Sequence, residues 1–521
     1  MSAIITDQIR ILNAKNFVLS STSESNSYYT FVGLPNAEAY DSNWNNNPPP
    51  PIDSFEQEND YWDTMIGMKK INSGDVKLVV RKNAWESGTI YDMYRHDISR
   101  NNPSKPSGSI NLYSSNYYTV NSNYQVYICL HNGIDPDNPT GRQSLDEPTF
   151  TDLEPRSAGI SGDGYIWKYL YTLNSSDVIK FDLLNYIPVP IDWDTNPLYY
   201  SIKNNAKNSG QIKIVTIKNR GQNVGSGAGI YPTVPIYGDG IGAEATVIIN
   251  NQSQIESVTI TKGGSGYTYG SLDLISGNVP VDSSSIYPEF DIIIPPKGGH
   301  GYDVARELGA YNVMIYSRIM NDNENPDFIT GNQFARIGIV ENPLSYDSNS
   351  VLSLNLASAV YAIKVGAGYS TVNFTADSEI TQTIGTAVTA IAKVISYDQN
   401  TGVLKYWQDK SLVGFSSTGI QNNPLNPPRY GFNLNRFTSS PSGSGNLVLK
   451  GGTVDVSIDA SFSGTSTTII NKTYNLGQTF INGLANPEVE KYSGSIIYVD
   501  NRPPITRSTN QKEDIKVILQ F

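Results

Sequence analysis

The sequence predicts a mainly β protein. Charged residues make up only 17% of it, whereas glycine (44), proline (29) and tyrosine (34) are abundant. This composition is typical of strands joined by many tight turns, because glycine and proline interrupt helices and aromatic side chains favour strands. Runs of alternating apolar and polar residues recur between stretches rich in Gly, Asn and Pro, which indicates half-buried strands. A chain of 521 residues is expected to form about two to four domains.

The charge balance and the cysteine content narrow the possible partners. The net charge is −12, and there is no dense Lys/Arg cluster to neutralise phosphates, so nucleic acid is not expected as a partner. Cys129 is the single cysteine, which excludes an intrachain disulfide and a cysteine-based zinc site and fits folding in a reducing cytoplasm. The N-terminal residues lack a signal-peptide pattern, and no apolar run reaches the roughly 18 residues of a membrane span. We therefore expect no membrane span.

The N-terminal part of the chain predicts one short helix among strands. Residues 40–52 are rich in asparagine and proline and predict an extended loop. A helix is predicted next, with Asp60 as its N-cap and with side chains at helical spacing, namely Trp62, Met65, Ile66 and Lys69. Strands are predicted at 76–80 and 124–130, and a Gly-Asp-Gly turn leads into an aromatic-rich strand within 161–173.

Two changes in residue composition along the chain predict inserted β-modules. The first module spans residues 205–290. Within it, the stretch VTIKNRGQNV is followed about 43 residues later by the similar stretch VTITKGGSGYTYG. Two copies are too few for a repeat fold. A short helix from Asp303 to Leu308 follows. In the second, residues 345–480, a hairpin is predicted around Asn400–Gly402 and an exposed loop at 441–446. The remaining segments, 1–204, 291–344 and 481–521, are predicted to form the core.

The C-terminal stretch predicts a built-in final strand. Ile515, Val517, Leu519 and Phe521 should share one buried face, because they recur at every second position. The preceding strand, through 496–499, should stop or lie at a sheet edge, because the prolines at 503 and 504 have no backbone N–H to donate. The four residues from 501 to 504 are predicted to form a corner between the two strands.

Several residues invite a chemical interpretation, but a structural role is favoured for each. Cys129 and His131 would share a strand face as a nucleophile and base would, yet such pairs usually come from different elements. His96 and His300 are too isolated to indicate a metal site, and no cofactor is expected. Residues 321–327 (NDNENPD) lack the glycine and the terminal acid of a calcium loop.

Two further patterns select no site. GSGAG, at 225–229, lacks the Gly-Lys-Ser/Thr of a phosphate-binding loop, so a flexible β-loop is favoured. A catalytic pair of carboxylates, as in glycosidases, depends on a separation that the fold sets. Carboxylates are abundant here, and the sequence singles out no pair of them.

The C-terminal stretch SGSIIYVDNRPPITRSTNQKEDIKVILQF resembles the end of the baseplate wedge protein encoded by gene 8 of T-even-type contractile-tailed bacteriophages. Other stretches resemble this family in the same order along the chain. They are the Pro-rich loop before Asp53, the segment Trp62 to Gly67, RKNAW (81–85), VYICL (126–130), GDGYIWKYL (162–170) and IGIVENPL (337–344). The signature residues within these stretches are Trp62, Gly67, Trp85, Gly162, Asp163, Gly164, Tyr165, Trp167, Asn342, Pro343, Asn501, Arg502, Pro503, Pro504 and Phe521.

The resemblance implies both a fold and a function. The fold would be an antiparallel β-sandwich core with a few short helices, interrupted by two inserted small β-modules. The function would be structural: a homodimer, made in the host bacterial cytoplasm, that joins other baseplate wedge proteins in the virion tail. The family has no known catalytic role, so no catalytic, cofactor-binding or metal-binding residue is implied. The alternative is a glycan-binding or glycan-cleaving tail protein, which exposed aromatic side chains and abundant carboxylates would permit.

Overall fold

Antiparallel strands form most of the regular structure, which confirms the predicted mainly β fold. The computed structural model describes residues 3–23, 25–35, 44, 46–206, 209–281, 283–320, 328–386, 388–408, 414–416, 419–421, 436–441, 446–449, 454–508 and 511–521. Strands account for 41% and helices for 11%. The helices are α1 (Asp7–Ser21), α2 (Phe55–Thr64), α3 (Ser175–Phe181), α4 (Pro197–Asn205) and α5 (Val304–Glu307).

The strands are numbered in chain order. The first fifteen are β1 (Tyr28–Gly33), β2 (Met65–Lys70), β3 (Val76–Arg81), β4 (Tyr118–Val120), β5 (Gln125–Asn132), β6 (Tyr165–Thr172), β7 (Tyr186–Val189), β8 (Ile214–Asn219), β9 (Gly229–Gly238), β10 (Ile241–Ile249), β11 (Ile255–Ser265), β12 (Gly270–Leu272), β13 (Glu289–Ile293), β14 (Asn312–Met320) and β15 (Gln333–Glu341). The others are β16 (Leu356–Ser358), β17 (Tyr361–Lys364), β18 (Glu379–Gly385), β19 (Val388–Asp398), β20 (Val403–Trp407), β21 (Gly414–Ser416), β22 (Gly419–Gln421), β23 (Leu447–Leu449), β24 (Asp455–Val456), β25 (Gly464–Ile469), β26 (Lys472–Phe480), β27 (Leu484–Ala485), β28 (Ser495–Thr506) and β29 (Lys512–Gln520).

The chain divides into two compact units. Unit 1 comprises Met1–Val18, Lys77–Met314 and Val517–Phe521, and unit 2 comprises Leu19–Val76 and Ile315–Lys516. The division falls within α1, β3, β14 and β29. The boundaries predicted for the two insertions stay a prediction.

Unit 1 contains several small antiparallel sheets. One has the order β4-β5-β6, another has the order β11-β10-β9-β12, and β8 pairs with β13. The last two share an apolar core that extends along the chain from Ile212 to Ile294. The helix predicted after this region is confirmed as α5, and Asp303 caps it by accepting a hydrogen bond from the Arg306 N–H at 3.0 Å.

Unit 2 contains a five-stranded sheet of order β16-β2-β1-β15-β28 and a seven-stranded sheet of order β24-β23-β18-β19-β20-β17-β27. The hairpin predicted around Asn400 is confirmed, because β19 and β20 pair directly at Asp398 and Val403. Gly402 in its turn has a φ of 68°, which a residue without Cβ adopts at no steric cost. The loop predicted at 441–446 lies largely outside the described residues.

The helix predicted around Trp62 is wrong in its extent. The N-cap of α2 is Ser54, whose Oγ accepts from the Gln57 N–H at 3.3 Å, and the predicted cap Asp60 lies inside the helix. The residues from Met65 onwards form β2, which pairs with β1 on one side and with β16 on the other. Ladder hydrogen bonds on both edges therefore outweigh the helical spacing of the side chains.

The corner predicted at 501–504 is also wrong. Strand β28 continues from Ser495 to Thr506, and it lies at the edge of the five-stranded sheet. Asn501 pairs with Arg336 and Ile505 pairs with Phe334, so three residues of β28 face a single residue of β15. The prolines at 503 and 504 are thus accommodated in a bulge on an edge strand, where the absent N–H groups cost no ladder hydrogen bond. The prediction of an edge position is confirmed, and β28 and the final strand β29 belong to different sheets.

Candidate functional site

Cys129 and His131 do not form a nucleophile–base pair. Cys129 is fully buried, and this burial raises the pKa of its thiol. Its Sγ–H donates to the backbone oxygen of His131 at 3.4 Å. The Nδ1 atom of the His131 ring lies instead 3.0 Å from the Gly133 nitrogen and 3.1 Å from the Gly164 oxygen. A bulge in β5 between the two residues separates the ring from the thiol.

His300 belongs to a buried pair that closes a turn. Its Nδ1 lies 2.6 Å from Oε1 of Glu307, while Oε2 of the same carboxylate accepts from the Gly301 N–H at 2.6 Å. The ring of Tyr94 meets the imidazole edge-on at 4.7 Å. These contacts fasten the Gly-rich turn to α5, so the role of His300 is structural.

Neither His96 nor the loop at 225–229 is arranged as a catalytic or binding site. His96 accepts from the Ile294 N–H through Nδ1 at 3.3 Å, and burial lowers its pKa. The loop at 225–229 leads into strand β9 and not into a helix. Residues 321–327 lie outside the described part of the chain. Within that described part, no group of three or more His, Cys, Asp and Glu side chains is placed to hold a metal ion.

Unit 1 has a cleft of about 810 Å³ beside β5, β6, β8 and β11. Carboxylates hold three of the basic side chains that line it. The pairs are Lys213 with Glu154 at 2.7 Å, Arg142 with Asp135 at 2.7 Å and Arg220 with Asp137 at 3.1 Å. These ion pairs satisfy the charges within the protein, so the cleft is not organised around a reacting group.

Four separate stretches of unit 2 meet around one buried arginine. Arg336, on β15, is fully buried and donates to Oγ1 of Thr64 at 2.5 Å and to Oδ1 of Asn501 at 3.0 Å. Its guanidinium carbon lies 4.7 Å from the ring centre of Tyr61 and 5.3 Å from that of Trp44. We call these five residues the Arg336 cluster. A guanidinium provides both the planar face for the rings and several donors for the oxygens.

The Arg336 cluster extends to the Pro-rich loop through backbone contacts. Nδ2 of Asn501 donates to the oxygen of Pro49 at 3.0 Å. The indole N–H of Trp44 donates to the oxygen of Arg502 at 3.0 Å. The loop, α2, β15 and β28 are therefore joined by side chains that are distant in the sequence. The side chain of Arg502 itself is exposed and pairs with Asp500 at 2.6 Å.

Two signature residues of unit 2 lie within its core and its five-stranded sheet. Trp62 is buried in an apolar cluster of this unit. Gly67 pairs with Val32 on β1 and with Ser358 on β16, so it lies inside the five-stranded sheet. Both residues therefore have packing roles.

Asn342 and Pro343 end β15 in a turn. Asn342 has a φ of 49°, and its Oδ1 accepts from the Ser27 N–H at 2.7 Å. The Pro343 oxygen accepts from the Leu352 N–H at 2.7 Å. Asparagine tolerates this left-handed backbone better than most residues, which accounts for its presence at this position.

In unit 1 the Gly-Asp-Gly signature is a turn stabilised by its aspartate. Asp163 accepts from the Leu145 N–H at 2.9 Å and from the Tyr165 N–H at 3.0 Å. Gly162 and Gly164 have φ values of 68° and 85°, which favour glycine. The predicted Gly-Asp-Gly turn before β6 is confirmed.

Aromatic signature residues of unit 1 stack beside this turn. The rings of Tyr165 and Trp167 lie 5.3 Å apart and nearly parallel, and Tyr91 meets Trp167 edge-on at 5.6 Å. Trp85 donates from its indole N–H to Oγ of Ser144 at 3.1 Å. These contacts place the signature residues in packing roles.

The C-terminal residue is held by its ring and its backbone. The rings of Phe521 and Phe17 lie 5.5 Å apart, and the Phe521 N–H donates to the oxygen of Tyr311 at 3.1 Å. Ile515 and Val517 are 8% and 5% exposed. The predicted final strand is confirmed as β29, but only Ile515 and Val517 are buried on the predicted face, and Leu519 and Phe521 are half-buried.

No family model matches the sequence, and no curated protein matches it significantly. None of the helices in the described part of the chain combines the length and the apolar character needed to cross a membrane.

Proposed function

We propose that this protein is a structural subunit of the baseplate wedge of a contractile-tailed bacteriophage. It acts through protein–protein interfaces, as a homodimer that joins other wedge proteins, and it resides in the virion tail after synthesis in the host cytoplasm. The proposal assigns no catalytic residue and no cofactor.

One observation carries the proposal: the ordered series of sequence stretches that resemble the gene 8 wedge protein family. The Arg336 cluster adds support, because its members lie in or next to four of those stretches. A subunit that transmits force has to hold its own shape, and a buried cation with two hydrogen bonds and two aromatic contacts opposes local rearrangement. Contacts of this kind keep the shape of the subunit and do not require a catalytic reaction.

The composition is compatible with binding through polar surfaces. The chain has 34 tyrosines, and tyrosine is enriched in protein interfaces because it combines an apolar ring with a hydroxyl. Transient interfaces are more polar than permanent ones, which suits contacts in an assembly that changes its shape.

The test is assembly with the products of the neighbouring tail genes. The purified protein is mixed with each of these products, and the mass of every complex is determined by light scattering and native mass spectrometry. A complex of defined stoichiometry with at least one of them is expected. Mixtures containing an unrelated acidic β protein provide the control for non-specific association.

The alternative function gives a different result. A glycan-binding or glycan-cleaving protein would bind or release sugar from host envelope preparations without any tail partner. Sugar release together with no complex formation would overturn the proposal.

A further inference from the structure

Helix α1 has two apolar faces, and only one of them is buried. Ile11, Ala14 and Val18 are 3%, 0% and 3% exposed. On the other side, the apolar side chains of Ile9 and Leu12 are 49% and 55% exposed. An exposed apolar stripe on a helix that is already packed on its opposite face is a candidate surface for a partner.

The exposed stripe has the spacing of a coiled coil. Its members are Ile9, Leu12, Asn16 and Leu19, separated in turn by three, four and three residues. This spacing is the heptad pattern, in which Ile9 and Asn16 occupy position a and the two leucines occupy position d. At about 100° per residue the four positions fall within about 80° of the helix circumference. We call these four residues the α1 stripe; Ile5, which precedes the helix by two residues and is 73% exposed, continues the same spacing.

The residue types in the α1 stripe favour two parallel helices. Isoleucine at a with leucine at d is the combination found in two-stranded parallel coils, and a single asparagine at a specifies register and oligomeric state. The exposed side chain of Asn16 makes no hydrogen bond to any described residue. Two copies of Asn16 related by a twofold axis satisfy each other, since an amide offers both a donor and an acceptor.

The flanking positions do not oppose pairing of identical helices. Positions e and g hold Asn13, Ser20, Gln8 and Lys15, of which only the lysine is charged. Lys15 already contacts Asp303 at 3.0 Å. Like charges across the interface, which would select against self-association, are therefore absent from these four described positions.

Helix α1 is held in place before any partner binds. Asp7 accepts a hydrogen bond from Nδ2 of Asn111 at 3.0 Å, and Arg10 lies over the ring of Tyr311 at 5.0 Å. Two heptads in isolation would be too short for a stable coil. A helix that is already folded and anchored loses less conformational entropy on pairing, so a shorter stripe suffices.

From these observations we infer that the α1 stripe pairs in parallel with the α1 stripe of a second copy of this chain. The inference rests on the homodimer of the proposed function and assigns the residues that form it. A twofold axis beside Asn16 brings each a residue against the same residue of the partner copy.

The experiment compares dimer dissociation constants of full-length variants by analytical ultracentrifugation. The double variant Ile9→Asp/Leu12→Asp places charges in the stripe, and its dissociation constant should rise at least about a hundredfold. The control, Ile160→Asp/Leu184→Asp, makes the same changes at side chains that are 102% and 90% exposed and should leave the constant unchanged. Far-UV circular dichroism and thermal unfolding establish that both variants are folded.

Two further variants test the position and the direction of pairing. Asn16→Val should tighten the association by about tenfold or more, because an asparagine at position a specifies pairing at a cost in stability. Asn16→Cys should form a covalent dimer on mild oxidation only if the helices are parallel and in register. The native Cys129 is fully buried, and Ile160→Cys provides the surface control.

The outcomes separate this inference from the proposed function. A monomeric wild-type chain at tens of micromolar, or a dimer that survives Ile9→Asp/Leu12→Asp, overturns the pairing of α1. An Asn16→Cys variant that crosslinks no faster than Ile160→Cys overturns the parallel arrangement. Wedge assembly is measured independently, with the neighbouring tail proteins. A failure of wedge assembly would not contradict a dimer formed through α1, and successful wedge assembly would not by itself demonstrate that dimer.

Discussion

Replacing Arg336 tests whether the cluster around it stabilises unit 2. Arg336→Met keeps an unbranched side chain but removes the charge and all of the donors. Thr64 and Asn501 then lose the hydrogen bonds they receive at 2.5 and 3.0 Å, and two aromatic rings lose the guanidinium that faces them. Asn501 retains its donation to Pro49.

The expected magnitude follows from two opposing effects. Two hydrogen bonds from a charged donor contribute about 1.5–3 kcal/mol each, and the ring contacts of a desolvated cation contribute about 2 kcal/mol. Against this, burial lowers the pKa of Arg336 from 12.5 to about 10, which corresponds to a cost of about 3–4 kcal/mol for keeping it charged. The net loss of unfolding free energy in Arg336→Met should be about 1–5 kcal/mol.

The assay is urea unfolding followed by tryptophan fluorescence and by far-UV circular dichroism. Arg502→Met is the matched control, because it removes an exposed arginine that pairs with Asp500 at the surface; it should change the free energy by less than about 0.5 kcal/mol. The reasoning is refuted if Arg336→Met and Arg502→Met unfold at the same urea concentration with equal slopes.

Two other predictions concern unit 1 and the C-terminus. Lys168 is 1% exposed, and burial lowers its pKa from 10.5 to about 8. The folded chain therefore releases this proton at a lower pH than the unfolded chain, and the free energy of unfolding should rise by about 3 kcal/mol between pH 8 and 10.5. Urea unfolding measured across this pH range should show the rise in the wild-type protein and not in Lys168→Met. Equal pH dependence in both proteins would contradict the assignment. Removal of residues 515–521 deletes the side chains of Ile515 and Val517, which are 8% and 5% exposed, and the ring contact between Phe521 and Phe17. The truncated chain should fold poorly, because each buried apolar side chain contributes about 1.5–3 kcal/mol. An unchanged melting temperature in calorimetry would show that this strand is dispensable.

Local sequence patterns predicted the structure correctly where the backbone conformation itself requires a particular residue type. The Gly-Asp-Gly turn before β6 and the turn at Gly402 both require φ values that glycine adopts freely. The short helix predicted from Asp303 to Leu308 forms as α5, where the Asp303 side chain accepts a hydrogen bond from an N–H of the same turn. In each case the physical cause lies within a few residues of the pattern.

Sequence patterns gave a wrong prediction, or none, where residues that are distant in the sequence decide the structure. Residues 65–70 have helical spacing, yet they form β2 because strands on both sides complete their hydrogen bonds. Helix α1 was missed because apolar residues on two faces hide a single amphipathic period. Arg336 gave no signal at all, since an arginine within an alternating strand usually faces solvent, and its hydrogen-bond partner Thr64 is 272 residues away in sequence.

The edges of the five-stranded sheet bear on how this protein associates. An exposed strand edge pairs readily with another chain, unless it is short, bulged or interrupted by proline. One edge strand, β16, has only three residues, and the other, β28, contains Pro503 and Pro504 in a bulge. Neither of these described edges offers a long uninterrupted row of backbone donors and acceptors. Association through this sheet by strand addition is thus disfavoured, which is consistent with the proposed pairing through the side chains of the α1 stripe.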